Sequence, residues 1–260
     1  QHFPGEFEVV VVDNGSTDGT IDVVRDFIAR DHRFRLVDGS AVRGSAAAAR
    51  NLGVEHALAD RVACCDADDI VRPGWLSALD AALDTAEVAS GSIEMHSLNH
   101  HLDPRITPEF LGNYDVFGFP GYAGGNSAIQ RAVFSSLGGL STSFSGGDDS
   151  ELAVRLALTG HRVVYVPEAV VSVRLRTGFL PSYHHSLQMW SALRRIRRAH
   201  ALARPRATQH LMETAHLGLR LVKRAYFLLD RRRRITWAAN AGRFASLVRE
   251  IPDLPARRVR

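Results

Sequence analysis

Residues 7–12 read Phe-Glu-Val-Val-Val-Val and stop at Asp13-Asn14-Gly15-Ser16. So short a β-branched run predicts a strand buried on both faces, which is the signature of a parallel sheet. The pattern recurs at Phe34–Val37 and again at Arg61–Cys65, which runs into Asp66-Ala67-Asp68-Asp69. Helical stretches separate these runs. Ile21, Val24 and Ile28 are spaced to face a sheet behind a cap at Ser16 or Thr17. Ala46–Leu58 is Ala-rich, and Pro73-Gly74-Trp75 opens a further helix to about Leu83. Strand–helix alternation with short connections predicts an α/β fold: an open, mostly parallel sheet with helices on both faces.

The middle of the chain is less regular. Val88–Met95 predicts a strand, and residues 99–124, rich in Pro, Gly, His and aromatics, predict loops over a site. Asn126–Arg131 predicts a strand, 132–137 a short helix, and Ser150–Thr159 a helix closed by Gly160. Strands are expected at 162–166 and 169–173, separated by Pro167. From Tyr183 the pattern is helical and arginine-rich, with breaks at Pro205 and Pro252. The expected organisation is one α/β domain over 1–182 and a basic helical extension over 183–260.

Charge divides along nearly the same line. Residues 1–189 hold 14 Lys+Arg against 24 Asp+Glu, whereas residues 190–260 hold 18 against 4. An acidic body suits a site of carboxylates and a metal, and a basic tail suits phosphates. The two cysteines, Cys64 and Cys65, are adjacent; a bridge between neighbours is strained, so both are expected reduced in a buried strand. No signal peptide or membrane-spanning apolar run is evident, and a cytoplasmic location is the expectation.

Three acid clusters carry the chemistry. Asp66-Ala67-Asp68-Asp69 follows a strand, where ligands gather in open α/β sheets. Three carboxylates in four residues repel one another unless a cation or hydrogen bonds stabilise them, and a metal-bound diphosphate is a natural occupant. An acidic turn capping the next helix is the plainer alternative. Asp13 ends its strand at the same rim, as a ligand for a base or ribose or as an Asx-turn. Gly146-Gly147-Asp148-Asp149-Ser150-Glu151 enters a helix, with Asp149 either at the cap position or facing a cleft as a general base.

These segments in this order resemble the family-two inverting glycosyltransferases of the GT-A fold. The resemblance rests on residues 9–20 (VVVVDNGSTDGT), Arg50-Asn51-Leu52-Gly53, Asp66-Ala67-Asp68-Asp69 and Gly124-Gly125-Asn126-Ser127-Ala128-Ile129. It extends through Gly146-Gly147-Asp148-Asp149, Gly160-His161-Arg162 and Tyr165-Val166-Pro167-Glu168-Ala169, covering about residues 3–175. It implies that Asp13, with Asn14, Ser16, Arg50 and Asp66, binds the nucleotide. Asp68, with Asp66, would hold Mg2+ or Mn2+ on the diphosphate. Asp149 would be the catalytic base, with Asp148 in the family's usual Glu position beside it. Gly124, Gly125, Asn126 and Gly147 would line the sugar and acceptor cleft.

Three departures qualify the resemblance. Family members carry a further strand and helix ahead of the part aligned with Gln1, so the chain is expected to lack that strand. Some relatives place a His after the Pro-Glu-Ala strand, where this chain has Ser172-Val173-Arg174. The Gln-x-x-Arg-Trp motif of processive synthases is absent, which favours single sugar transfer.

The implied function is inverting transfer of one sugar from a nucleotide sugar, with a weak preference for UDP, to a carbohydrate or lipid-linked acceptor in cell-envelope polysaccharide or glycolipid synthesis. The main alternative is a truncated or degenerate domain that binds nucleotide or a partner without turnover. A dehalogenase-type phosphatase would need a lysine in the same domain, and the single lysine is Lys223 in the tail. In that tail Leu217–Leu229 mixes apolar residues with Arg220, Lys223 and Arg224, which fits a helix on an anionic membrane surface, with a solvated face of a helical extension as the plainer alternative. The expectation is therefore peripheral attachment to the inner face of the plasma membrane. No recognised nucleic-acid module accompanies the arginines, so nucleic acid is not an expected partner.

Overall fold

The β-branched runs become the strands of a computed structural model, which describes residues 1, 3–112, 114–203 and 205–251. The chain divides into two compact units: residues 1–94 with 110–173, and residues 95–109 with 174–260.

In the first unit, β1 (Val9–Asp13) pairs in parallel with β2 (Phe34–Asp38), Val9 opposite Phe34 and Asp13 opposite Asp38. Between them runs α1 (Thr20–Arg30), whose Ile21, Val24 and Ile28 are its half-buried apolar positions, as their spacing requires. Neither Ser16 nor Thr17 caps it. The cap position is Gly19, because Asp18 takes the Thr20 amide at 3.1 Å, while the Ser16 amide is held by Asp13. Helix α2 (Ala46–His56) is capped by Ser45, which accepts from the Ala48 amide at 3.1 Å, and it packs on β1.

A second, six-stranded sheet has the order β3 (Arg61–Cys65), β9 (Asn126–Gln130), β5 (Val88–Glu94), β10 (Val163–Ser172), β4 (Ile70–Val71), with β6 (Phe110–Leu111) added to β5. The short strands β7 (Asp115–Val116) and β8 (Phe119–Pro120) form a hairpin. Its two-residue turn has positive φ at Phe117 and Gly118, the geometry such hairpins favour. The sheet refines the expectation of mostly parallel pairing. Only β5–β10 is parallel within it; β3–β9, β9–β5, β10–β4 and β5–β6 are antiparallel. Nor is β10 two strands. It continues through Pro167 because the register shifts between Val166 and Val170, and a bulge tolerates a residue without an amide donor.

Helix α3 (Trp75–Ala82) covers the sheet with Trp75, Leu79 and Leu83, against Ala89, Ala128, Val166, Ala169 and Val171. Two further helices, α4 (Arg131–Ser136) and α5 (Asp148–Leu158), follow β9. Gly160, at φ 83°, closes α5 as expected. Both cysteines are free, but Cys65 is exposed at its strand end rather than buried.

The second unit contains α6 (Phe179–Ala199), α7 (Ala207–Lys223) and α8 (Arg233–Glu250), with a 3-10 turn at Ala225–Leu229. Helices α6 and α8 cross closely at Gly242, where a Cβ would lie 2.4 Å from the Tyr183 carbonyl oxygen. Asp103 accepts from Arg105 and Arg233, which hold its carboxyl well below the usual carboxylate range. The break expected at Pro205 lies between α6 and α7, and that at Pro252 lies outside the described residues. Among the described residues no helix is long and apolar enough to cross a membrane.

Candidate active site

Antiparallel pairing of β3 and β9 builds the centre of the site. Cys65, the last residue of β3, is opposite Asn126, the first of β9, so the residues flanking that pair, Asp66 and Gly125, must meet. A Cβ at Gly125 would fall 2.7 Å from Asp66 Oδ2, and one at Gly124 would fall 3.3 Å from Asp149 Cβ and 3.6 Å from Arg50 Nη1. The glycine pair therefore lets a carboxylate from β3 and another from α5 approach the same backbone.

Arg50, reaching from α2, joins these acids. Its guanidinium bonds to Asp66 through Nη2 and lies 3.5 Å from Asp148 Oδ2 through Nη1. Burial works against the Arg50 charge, but Asp66 and then Asp148 outweigh it and raise its pKa. One cation thus serves three carboxylates, and the balance shows on the other two. Asp149 is raised above the ordinary carboxylate range by burial and by the charge of Asp148, with Arg50 opposing. Asp148 is raised by burial, again opposed by Arg50, and its Oδ2 is buried without a hydrogen-bond partner.

Asp149 does not occupy the cap. Gly147 is the N-cap of α5, which starts at Asp148, so Asp148, Asp149 and Glu151 all lie in its first turn, where the helix dipole favours negative charge. Asp149 Oδ1 accepts the Ser150 amide at 2.6 Å. A pair not singled out in the sequence fixes this helix: Glu151, buried, accepts from Arg155 at 2.7 Å, and Arg155 donates to the Leu137 and Gly139 carbonyls at 2.6 and 2.7 Å. The i,i+4 spacing of Glu151 and Arg155 was the available signal. Asn51, next to Arg50, holds the same loop, exchanging bonds of 2.9 and 2.8 Å with the Leu140 backbone. Tyr114 was also missed. Its hydroxyl donates to the Tyr122 carbonyl, and burial followed by the charge of Asp149 raises its pKa.

Asn126 lies in the interior. It is 1% exposed, accepts from the Trp75 indole at 2.8 Å, and donates to the Ser92 and Ala169 carbonyls at 2.8 and 3.1 Å. Its amide is committed to tying α3 to three strands, which leaves the cleft lining to Gly124 and Gly125. Asn126→Ala is expected to destabilise the chain by about 2–4 kcal/mol, since it orphans the buried Trp75 N–H and two carbonyls. Urea denaturation of the variant checks this; an unchanged midpoint would remove Asn126 from the framework.

Asp13 ends β1 of the two-stranded sheet, with Asn14 and Ser16 in the loop that follows it, and no hydrogen bond or ion pair among the described residues joins them to the Arg50 cluster. The Asp13 carboxylate is buried and accepts the Gly15 amide at 3.3 Å and the Ser16 amide at 3.2 Å, which is an Asx-turn. Asn14 Oδ1 is buried and accepts nothing, so it is an acceptor available to a ligand donor.

Among the described residues no three or more His, Cys, Asp or Glu side chains form a metal site of their own. Asp66 and Asp68 supply hard oxygen donors, and Asp68 is exposed. Such a donor set fits a divalent ion that substrate phosphates complete, rather than one enclosed by protein. Ser172, the first residue of the Ser172-Val173-Arg174 stretch, accepts from Arg72 at 3.3 Å.

A mixed sheet flanked by helices, with paired acids at strand ends and at a helix start, is the GT-A fold found in solved glycosyltransferases. Several solved structures share the fold. A mannosyltransferase from Pyrobaculum calidifontis, solved with GDP-Man and Mn2+, has a TM-score of 0.56 at 21% identity, covering 94% of this chain and 77% of that one. TarS residues 1–349 from S. aureus, solved with UDP, has a TM-score of 0.52 at 20% identity, covering 74% and 58%. The glycosyl transferase family 2 model matches residues 1–146, and the chain belongs to that family. A model described as the N-terminal domain of galactosyltransferase matches residues 114–185.

Among curated proteins, the succinoglycan biosynthesis protein ExoA of Rhizobium meliloti is 29% identical over 185 residues, 64% of this chain and 56% of its own length. An uncharacterized glycosyltransferase of Haemophilus influenzae is 38% identical over 64 residues, 25% of each chain. A Staphylococcus epidermidis poly-β-1,6-N-acetyl-D-glucosamine synthase is 36% identical over 66 residues, 25% of this chain and 16% of its own. The chain therefore spans about half or less of the length of these relatives.

Proposed function

We propose that the chain transfers a single sugar, with inversion, from a nucleoside diphosphate sugar to an acceptor hydroxyl, using Asp149 as the base. The observation that carries this reading is the juxtaposition of Asp66, Arg50, Gly124-Gly125, Asp148 and Asp149. A carboxylate whose pKa is raised by burial is a stronger base than a solvated one. Asp149 accepts the acceptor's hydroxyl proton as that oxygen attacks the anomeric carbon from the face opposite the leaving diphosphate. Gly124 and Gly125 leave room for the sugar beside it. Arg50 holds Asp66 and Asp148 in place against their mutual repulsion. Asp68, with Asp66, would hold Mg2+ or Mn2+, which supplies positive charge against the departing diphosphate. Asp13, Asn14 and Ser16 bind the base and ribose, with Asn14 Oδ1 as the acceptor.

UDP is the favoured donor nucleotide, and the TarS structure with UDP supports that choice, whereas the mannosyltransferase solved with GDP-Man supports GDP. The relatives named for succinoglycan and poly-N-acetylglucosamine synthesis support a carbohydrate or lipid-linked acceptor in cell-envelope polysaccharide or glycolipid assembly. The reaction is placed in the cytoplasm, at the inner face of the plasma membrane. As for organisation, the transferase domain is taken as 1–182 and the basic extension as 183–260.

Calorimetric titration of UDP, GDP and dTDP, with and without Mn2+, tests the donor site. One nucleotide is expected to bind in a Mn2+-dependent manner, and Asp68→Asn is expected to weaken it by about tenfold or more. Binding that is indifferent to both Mn2+ and the substitution would remove the metal from the reading. Binding without transfer to any acceptor or hydrolysis of the nucleotide sugar would leave a nucleotide-binding module.

A further inference from the structure

Helix α7 buries two polar side chains beside its two buried leucines and leaves much of its apolar surface uncovered. The face it buries consists of His210, Thr214, Leu217 and Leu221. His210 donates through Nε2 to the Leu247 carbonyl, 2.9 Å away, and Thr214 donates to the His210 carbonyl at 2.8 Å. The opposite face exposes Leu211, Met212, Leu219 and Val222, Met212 at 72% and Val222 at 73%. At about 100° per residue these side chains and Ala215 fall within a stripe roughly 100° wide, on the side of the helix away from the buried face. The 3-10 turn prolongs the apolar surface with Tyr226, Leu228 and Leu229, the last 91% exposed. Scattered exposed apolar residues need no explanation, but a contiguous run on one face marks an interaction surface.

The charge around the stripe selects what covers it. His216, Arg220 and Lys223 share one shoulder of the helix, and the acid on that shoulder, Glu213, is paired with Arg243. Arg224, Arg231 and Arg232 are exposed at the end where the turn lies. A second copy of the same face would bring these cations together. A bilayer rich in anionic lipid supplies both a hydrocarbon boundary for the stripe and phosphates for its shoulder.

We propose that the exposed face of α7 and the Ala225–Leu229 turn seat on an anionic membrane surface, with Leu219, Val222 and Leu229 entering the headgroup–acyl boundary and Arg220 and Lys223 on lipid phosphates. The inference depends on the second unit alone and stands independently of the sugar-transfer reading.

Co-sedimentation of the full chain with phosphatidylcholine vesicles, alone or with about one third phosphatidylglycerol, tests it at low and high salt. The chain is expected to sediment with the anionic vesicles, less at high salt, and not with the neutral ones. Leu219→Glu with Val222→Glu is expected to lower the partition coefficient by about tenfold or more with an unchanged circular dichroism spectrum. Arg220→Glu with Lys223→Glu is expected to lower it by about twenty-five-fold or more, at about fivefold per cation lost. Failure of the wild type to sediment at low salt, or equal sedimentation of the Leu219/Val222 variant, would overturn the proposal. So would a concentration-dependent dimer abolished by that variant without vesicle binding, which would assign the face to a second copy. Nucleotide titration of the same variants in solution is expected to match the wild type, so loss of the membrane surface and failure of the donor site read out separately.

Discussion

Asp149→Asn is expected to lower kcat by two to four powers of ten, the usual contribution of a positioned base, while nucleotide binding stays intact and resistance to denaturation at neutral pH rises. The two effects share one cause. Burial and the neighbouring Asp148 raise the Asp149 pKa above its ordinary 3.8, so the folded chain holds that proton more tightly than the unfolded chain does. Stability therefore falls as pH rises from the unfolded value of 3.8 through the raised folded value, and above both the charged carboxylate is a standing cost. An amide carries no charge to bury and removes that cost. Activity runs the opposite way. Only the ionised carboxylate takes a proton, so kcat of the wild type is expected to climb on an acid limb displaced above the ordinary carboxylate range. Thermal melts at neutral pH and a pH profile of single-turnover transfer check both halves. A variant that keeps its rate, or a limb at an ordinary carboxylate pH, would move the base elsewhere; a drop in melting temperature would show that Asp149 holds the fold rather than the chemistry. Asp148→Asn is the natural control.

The site was legible where local chain direction decides it. A β-branched run that stops at an acid has to deliver that acid to its strand's end, which is why Asp13 and Asp66 could each be placed at the end of a strand from sequence, though on two different sheets. Their partners required knowing which strand pairs with which. Nothing local states that β9 runs antiparallel to β3, yet that pairing alone sets Gly125 against Asp66 and sends Asn126 inward. Competing local hydrogen bonds misled in the other direction. Ser16 and Thr17 carry cap chemistry, but the Asp13 carboxylate captures the Ser16 amide first and α1 starts later, after Asp18. Pro167 reads as a break because proline lacks a donor, and only the register shift in β10 shows that no donor was needed there. Arg155 stayed unnoticed for a similar reason. Two of its acceptors are loop carbonyls 16 and 18 residues away, which have no sequence signature.

Arg50 is the residue whose loss the geometry makes most informative. Arg50→Met is expected to reduce kcat/KM by about a hundredfold or more, on the scale of removing a preorganised charged group from a partly dry site. Arg50→Lys is expected to recover only part of that, because a single ammonium cannot reach two carboxylates as the planar guanidinium fork does. A purely structural role would also lower activity, so the decisive reading is the pH profile. Arg50 lowers the pKa of both Asp148 and Asp149. Without it those carboxyls hold their protons to higher pH, and the acid limb of the Met variant is expected to move upward, with the Lys variant between it and the wild type. The same loss leaves Asp66 facing Asp148 with no intervening cation, so the melting temperature of the Met variant is expected to fall as pH rises and the acids ionise. A Met variant with slower turnover but an unmoved acid limb would reduce Arg50 to a packing residue. A displaced limb would establish that one guanidinium sets the protonation of the Asp148–Asp149 pair.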